Sequence, residues 1–222
     1  MSKCCFCIIL FLSLVEIAVS QEVAITRQAF ENAFTSSLEK AQEFSRYHKS
    51  TLIKYSGGNV ERKLTWKWEY EMAYKHRMVF EEKTDARVSR LERFSLEEKT
   101  FCNIDNGGWG VETGSCRTRL PCFITQMSYM MRPNSPSHFT SDHTEKGGEK
   151  LTIFRESGKL GLQETKKGEW WGYYKSTFWV DSRGRFLRQS YKSGTVGSNQ
   201  LSETWEDEIS YSPNIKIGPP IK

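Results

Sequence analysis

The 222-residue sequence has little proline and no long run of one charge. It contains 6 prolines and 16 scattered glycines, which excludes collagen-like and low-complexity classes. Its 32 lysine and arginine residues are interleaved with 27 aspartate and glutamate residues. Nucleic-acid binding would need a basic stripe, and none is present. We therefore expect an ordinary solvated surface and no nucleic-acid partner.

The signatures of common catalytic sites are also missing. The sequence contains no G-x-S-x-G elbow, no H-E-x-x-H pair and no Walker loop. His138 and His143 lie close to acidic residues, but without the ligand spacing of a metal site. We expect a protein that is not an enzyme and that has no metal and no cofactor. A hydrolase of unknown type is the less favoured alternative.

The longest apolar run is too short for a membrane span. It covers residues 4–15, whereas a spanning helix needs about 20 apolar residues. Lys3 precedes the run and small residues at 18–20 follow it, the pattern of a cleaved export signal. The sequence therefore predicts a signal peptide over 1–20 and a single domain over 21–222. We expect export to a bacterial periplasm, with the eukaryotic extracellular space as the alternative.

Cysteine is scarce beyond the signal peptide, where only Cys102, Cys116 and Cys122 remain. An oxidising compartment favours one disulfide and one leftover thiol. We prefer Cys102–Cys116, because Asn106–Gly108 between them is a turn signal that could fold two strands together. Such a bridge closes a loop of about 15 residues and stabilises the fold by about 3 kcal/mol. Cys116–Cys122 is the alternative pair.

One amphipathic helix is expected at the start of the domain. Phe30, Phe34 and Ala41 recur at helical spacing, which is typical of a helix with one apolar face. Thr26 is a suitable N-cap because its hydroxyl can accept a bond from the first turn. The sequence predicts a helix over 26–44 that covers a sheet.

Beyond this helix the apolar period changes to two, which indicates strands, and the polar turns between them indicate an antiparallel meander. The polar stretch His138–Lys150 is interpreted as a loop. The tail Pro213–Pro220 is expected to lie outside the sheet centre, because proline lacks a backbone donor. The predicted strands are Tyr47–Ile53, Val60–Tyr74, Arg77–Thr84, Val88–Phe94, Lys99–Ile104, Trp109–Thr113, Lys150–Arg155, Gly161–Thr165, Tyr173–Val180, Phe186–Tyr191 and Gln200–Tyr211.

A second helix is predicted between the two groups of strands, where apolar residues from Leu120 to Met131 return to helical spacing and Pro133 ends the pattern. Three of these residues are methionines, whose flexible side chains adapt to ligands of varied shape. We expect either a mobile lid over a binding site or a plain core helix.

Two motifs of the sequence lie at Phe178–Leu187 and Tyr211–Ile217. The first resembles a hairpin of the periplasmic lipoprotein-carrier superfamily of the LolA and LppX type, and the second resembles the tail of its uncharacterised bacterial members. The resemblance implies an α+β fold, in which a strongly curved antiparallel sheet forms an unclosed half-barrel. An N-terminal helix and a second helix would cover its concave face.

The same resemblance implies a non-catalytic carrier or chaperone, likewise exported, that binds a lipid or the acyl chain of a lipidated protein. The resemblance is also compatible with a membrane-bound receptor as a further partner. We expect the protein to be a monomer. Trp66 and Trp68 share one face of a strand and could line the site, with core packing as the alternative. A protein-binding module that uses a sheet edge or the tail is the alternative function. The candidate ligand-binding residues are Trp66, Trp68, Phe123, Met127, Met130, Met131 and Trp179.

Overall fold

One helix and one 12-stranded antiparallel sheet form the fold in a computed structural model that describes residues 22–72, 75–84, 86–96, 99–111, 137–160, 172–197 and 200–218. The elements are β1 (Val23–Ala24), α1 (Arg27–Gln42), β2 (Arg46–Ser56), β3 (Asn59–Met72), β4 (Lys75–Thr84), β5 (Val88–Leu96), β6 (Lys99–Ile104), β7 (Gly110–Val111), β8 (Ser137–Lys146), β9 (Glu149–Leu160), β10 (Gly172–Val180), β11 (Phe186–Thr195) and β12 (Leu201–Tyr211). The predicted strand Gly161–Thr165 and the predicted helix Leu120–Met131 lie outside the described residues.

The sheet consists of two meanders that meet at its centre. Strands run in the order β1-β8-β9-β10-β11-β12-β2-β3-β4-β5-β6-β7. The central junction pairs β12 with β2, from Glu203 opposite Lys54 to Tyr211 opposite Arg46. Within the described residues the sheet does not close on itself, which fits an open half-barrel. Only one of the two expected helices belongs to this part of the chain.

Helix α1 begins and packs as its sequence predicts. The Thr26 side chain caps it by accepting a 3.1 Å hydrogen bond from the Ala29 amide. Its buried stripe includes Phe30 and Phe34, whose rings meet the Phe178 ring edge-on at centroid distances of 5.1 and 5.2 Å. We name the sheet face under α1 the inner face and the opposite one the outer face. No helix among the described residues has the length and apolarity to cross a membrane.

Strand alternation separates an apolar inner face from a charged outer face. One row of cross-strand partners runs over the inner face through both meanders, and exposed lysines such as Lys175 and Lys192 face each other on the outer face. The inner row consists of Phe154, Phe178, Gln189, Asp207, Ser50, Trp66, Phe80, Leu91 and Ile104.

The inner core continues across the central junction. The Trp205 ring on β12 stacks on the Trp66 ring on β3 at a centroid distance of 5.3 Å. Tyr174 and Tyr191 of the second meander belong to the same buried cluster as Leu52 of the first. The two meanders therefore share one buried cluster.

The C-terminal tail crosses the outer face and adds no strand, as its prolines predict. Ile215 and Ile217 are buried against Phe94. The Ile217 amide donates a 2.8 Å hydrogen bond to Glu71 Oε2, and the Lys75 ammonium lies 2.7 Å from the same oxygen. The tail is thus fixed by both apolar and polar contacts.

The predicted loop at His138–Lys150 is wrong, because β8 and β9 form a long hairpin there with a turn at Gly147–Gly148. Strand β8 is polar on both faces, since its outer side meets solvent and the far end of its inner side borders an open cavity. Apolar alternation therefore cannot reveal it. The Gly-Gly turn, with φ of 62° and 81°, repeats the positive-φ turn at Gly57–Gly58 between β2 and β3.

Candidate functional site

A cavity of about 1160 Å³ lies on the inner face between α1 and the ends of two hairpins. Helix α1 contributes Ala33, Ser36 and Lys40, the β8–β9 hairpin forms one side, and the β10–β11 turn at Asp181–Gly184 closes one end. Ligand cavities in proteins are roughly 300–1,000 Å³. This cavity is therefore large enough for a ligand with a long chain.

The floor of the cavity is apolar. Ala33, Phe154 and Val180 line it, and the Phe154 ring stacks on the fully buried Phe178 ring at a centroid distance of 4.7 Å. Phe154 and Val180 are on inner-face rows of β9 and β10. The helix and the sheet thus supply apolar surface from opposite sides.

The rim of the cavity is polar and carries three cations. Lys40, Lys150 and Arg183 line it together with His143 and Glu145. His143 is the cross-strand partner of Thr152, and Lys150 is the cross-strand partner of Glu145. Both pairs lie on the inner face, so His143 and Lys150 point toward the cavity. The His143 Nδ1 atom lies 3.2 Å from the Thr152 hydroxyl. The cavity therefore combines an apolar floor with a charged edge.

The β10–β11 turn is held firmly at the cavity mouth. The Asp181 carboxylate is 8 % exposed and accepts bonds from the amides of Arg183 and Arg185 at 2.9 and 2.8 Å. The Arg185 guanidinium lies 2.7 Å from the same carboxylate. Gly184 has φ of 78°, and a Cβ there would lie 2.7 Å from the Lys40 Nζ atom, so Lys40 rests against the turn.

The predicted ligand-binding residues are only partly brought together. Trp66 and Trp68 lie side by side in the buried inner cluster, with ring centroids 6.5 Å apart. Trp179 is half-buried on the outer face, where the Arg188 guanidinium lies 5.3 Å above its ring. None of these three lines the cavity beneath α1. Phe123, Met127, Met130 and Met131 lie outside the described residues.

A buried polar cluster occupies the middle of the inner face. Asp207 is fully buried, its Oδ1 atom lies 2.9 Å from His48 Nε2, and its Oδ2 atom accepts a hydrogen bond from the Trp205 indole. The His48 ring stacks on Trp68 at 4.5 Å. The neighbouring Ser50 hydroxyl is fully buried and has no hydrogen-bond partner among the described residues. Among the described residues, the Ser50 hydroxyl therefore makes no bond to the His48 ring of this cluster.

Glu156 is a second buried acid on the inner face. Its carboxylate accepts a 2.6 Å hydrogen bond from the Tyr174 hydroxyl, which in turn lies 2.7 Å from the Ser137 hydroxyl. Burial raises the pKa of Glu156 above its ordinary value of 4.5, and the bond from Tyr174 opposes part of that rise. The three side chains join β8, β9 and β10.

The histidines and Cys102 do not form a metal site in the part of the chain that the structure describes, where no group of three His, Cys, Asp or Glu side chains converges. His138 and His143 lie five residues apart on β8 and so face opposite ways. Cys102 is buried on the inner face of β6. Cys116 and Cys122 lie outside the described residues, so the disulfide pairing stays a prediction.

No family model matches the sequence, and no curated protein matches it. Solved structures with a similar course of the chain include LprF from Mycobacterium bovis, 9 % identical, covering 90 % of this chain and 100 % of that one with a TM-score of 0.48. Lipoprotein LppX from Mycobacterium tuberculosis is 10 % identical and covers 87 % of this chain and 100 % of its own, with a TM-score of 0.45. A LolA superfamily protein from Nitrosomonas europaea is 7 % identical and covers 84 % and 92 %, with a TM-score of 0.29. LppX and LolA are also the names of the superfamily that the motifs at 178–187 and 211–217 resemble.

The cavity itself could not be found from the sequence. Its rim combines residues from a helix, a hairpin interpreted as a loop and a turn, and no spacing motif links them. The one available signal is the hairpin motif at Phe178–Leu187, which contains the turn Asp181–Gly184. The role of Asp207 also escaped prediction, because its partners His48 and Trp205 are defined by strand register rather than by sequence pattern.

Proposed function

We propose that this protein is a non-catalytic carrier that binds a lipid, or the acyl chain of a lipidated protein, in the cavity beneath α1. The observation that carries the proposal is the apolar floor of Ala33, Phe154 and Val180 between one helix and an open sheet. Each buried methylene contributes about 0.8 kcal/mol. Ten buried methylenes would supply about 8 kcal/mol, which corresponds to a dissociation constant of about 1 μM.

The remaining predicted ligand residues have a place in this proposal. Trp66 and Trp68 continue the apolar inner face beyond α1, so a long chain could extend toward them. The predicted helix Leu120–Met131 would act as a lid, with Phe123 and its methionines against the ligand. Lipid would then slow hydrogen exchange in this segment. Equal exchange with and without lipid would contradict the lid but leave the cavity proposal intact.

The alternative of a protein-binding module has less support. The tail that it would use is packed on the outer face through Ile215 and Ile217.

We likewise propose that the protein is exported through the signal peptide at 1–20 and that Cys102 and Cys116 form a disulfide.

Native mass spectrometry of the protein purified from its own cells, followed by organic extraction, tests the proposal directly. We expect an adduct whose mass is recovered in the organic phase. Protein that carries no adduct and takes up no palmitoyl lipid during incubation would overturn the carrier function.

A substitution that fills the cavity tests its location. Ser36→Trp places a large side chain into the cavity from α1, and we expect it to weaken palmitoyl-lipid binding by about 10-fold or more. Thr35→Trp is the matched control, because Thr35 is exposed on the same helix and does not line the cavity. Titration of each variant with a fluorescent acyl lipid gives the comparison. Equal loss of binding in the two variants would place the ligand elsewhere.

A further inference from the structure

We infer that the cavity selects an amphiphile with an anionic headgroup, held at its rim by Lys40, Lys150 and Arg183. This inference rests on the proposed function and adds a ligand class to it. The acyl chain lies on the apolar floor, and the headgroup lies between the helix, the β8–β9 hairpin and the β10–β11 turn.

The three rim cations have no anionic partner among the described residues, and in this Arg183 differs from the exposed arginines of the sheet. Lys40, Lys150 and Arg183 form no ion pair among the described residues, although all three line one cavity. Elsewhere on the sheet, exposed arginines do pair with carboxylates. Examples are Arg62 with Glu82 at 2.7 Å and Arg90 with Glu81 at 2.8 Å. Positive charge at the cavity mouth is therefore left for a ligand.

The two rim acids do not cancel this charge. The Asp181 carboxylate is already engaged by the Arg185 guanidinium and by two backbone amides. Glu145 is the cross-strand partner of Lys150 and is exposed to solvent. Counting charges, three rim cations face one uncommitted carboxylate. The mouth of the cavity is thus net positive.

The turn brings two of the cations together. Lys40 extends from the last turn of α1 over Gly184, where its Nζ atom occupies the space that a side chain would need. This places Lys40 next to the turn that carries Arg183. Lys150 faces them from the β9 side of the cavity. Cations on opposite sides of a mouth can share one phosphate or carboxylate group.

The apolar floor decides between a lipid and a free anion. A free phosphate would gain only the rim contacts, which are exposed and worth little in water. An amphiphile gains burial of its chain on Phe154 and Val180 in addition, and its headgroup is then held at the rim. The ligand that we infer is therefore an acidic lipid.

The test compares two lipids with the same chain and different headgroups. The purified full chain is titrated with palmitoyl lysophosphatidylglycerol, which is anionic, and palmitoyl lysophosphatidylcholine, which is zwitterionic, below their micellar concentrations. We expect binding of the anionic lipid to be about 10-fold tighter. The triple variant Lys40→Gln, Lys150→Gln, Arg183→Gln should bind both lipids equally.

The control variant removes the same charge from the other face. Lys67→Gln, Lys175→Gln, Lys192→Gln changes three exposed lysines of the outer face and should keep the preference. Equal binding of both lipids by the unmodified protein, the same loss of preference in the control, or displacement of the lipid by inorganic phosphate would overturn the inference. Failure of the proposed function looks different, because then neither lipid binds.

Discussion

At the scale of single residues, the inner face is unusual in burying acids as well as aromatic rings. Asp207 lies at the sheet centre with no exposed surface, and its two oxygens are taken by His48 and Trp205. A buried carboxylate is tolerated only where donors surround it. Asp207 therefore ties β12 to β2 through its bond to His48.

Replacing Asp207 tests this role. Asp207→Ala removes the acceptor of two buried donors, and we expect it to lower the free energy of unfolding by about 3 kcal/mol. Asp207→Asn retains one acceptor oxygen and should lose less. Urea denaturation measures both, with the exposed neighbour Glu208→Ala as control. A loss in Asp207→Ala no larger than that of the control would contradict the interpretation.

The raised pKa of Glu156 predicts a pH-dependent effect. Because its pKa in the folded state lies above 4.5, its contribution to stability is full below that pH and declines as pH rises through the raised value. Glu156→Gln keeps an acceptor for Tyr174 without the charge. We expect it to raise the free energy of unfolding at pH 7 and to raise it less toward pH 4. Thermal denaturation across this pH range measures the difference in stability between Glu156→Gln and the unmodified protein, with the exposed Glu61→Gln as control. A difference that does not change with pH would contradict the role of the buried charge.

At the scale of elements, the outer face is partly covered by the tail instead of by a helix. Glu71 holds the tail by accepting a bond from the Ile217 amide. The bond from the Lys75 ammonium on β4 and the bond from the Ile217 amide both lower the pKa of the Glu71 carboxyl. A lowered pKa means that this contribution is full above 4.5 and is lost as pH falls through the lowered value.

Hydrogen exchange of the tail follows from this anchor. We expect the amides of residues 212–218 to exchange faster in Glu71→Gln than in the unmodified protein at pH 7. Below pH 4.5, after correction for the intrinsic pH dependence of exchange, the difference should shrink. Glu69→Gln on the same strand is the control. Unchanged exchange in Glu71→Gln would mean that Ile215 and Ile217 hold the tail by packing alone.

At the scale of the whole molecule, the two meanders share one buried cluster across β12 and β2. Trp205 stacks on Trp66, and Tyr174 and Tyr191 join the same cluster as Leu52. This cluster links the two meanders through the junction, and a second cluster joins α1 to Phe178 and Phe186 of the second meander. Helix α1 then covers the second meander, where its contacts with β11 and β8 lie.

A shared cluster predicts a single unfolding transition. Tryptophan fluorescence, which reports on rings such as Trp66 and Trp205, and far-ultraviolet circular dichroism, which reports on the whole sheet, should give the same midpoint in urea. Two separated midpoints would show that one meander unfolds before the other, and the junction would then be weaker than its packing indicates.

The sequence predicted those helices and strands that bury one face, because their apolar residues then recur at a regular spacing. Helix α1 and strands such as β6 follow from apolar spacing and from their turn residues. The β8–β9 hairpin did not, because its inner side borders a cavity and so carries His143, Glu145 and Lys150 where a core strand would carry apolar residues. The cavity was missed for the same reason. A site made by long-range register leaves no local pattern.

Because β12 lies beside β2, the order in which the strands are synthesised differs from their order in the sheet. The first long strand and the last strand to leave the ribosome are neighbours at the sheet centre, and, apart from the two-residue β1, the strands farthest from the centre, β8 and β7, come from the middle of the chain. Pairings between distant segments form slowly. A nascent chain that has not yet produced Leu201–Tyr211 must therefore leave one side of β2 unpaired, and the complete sheet can form only after translation of this segment.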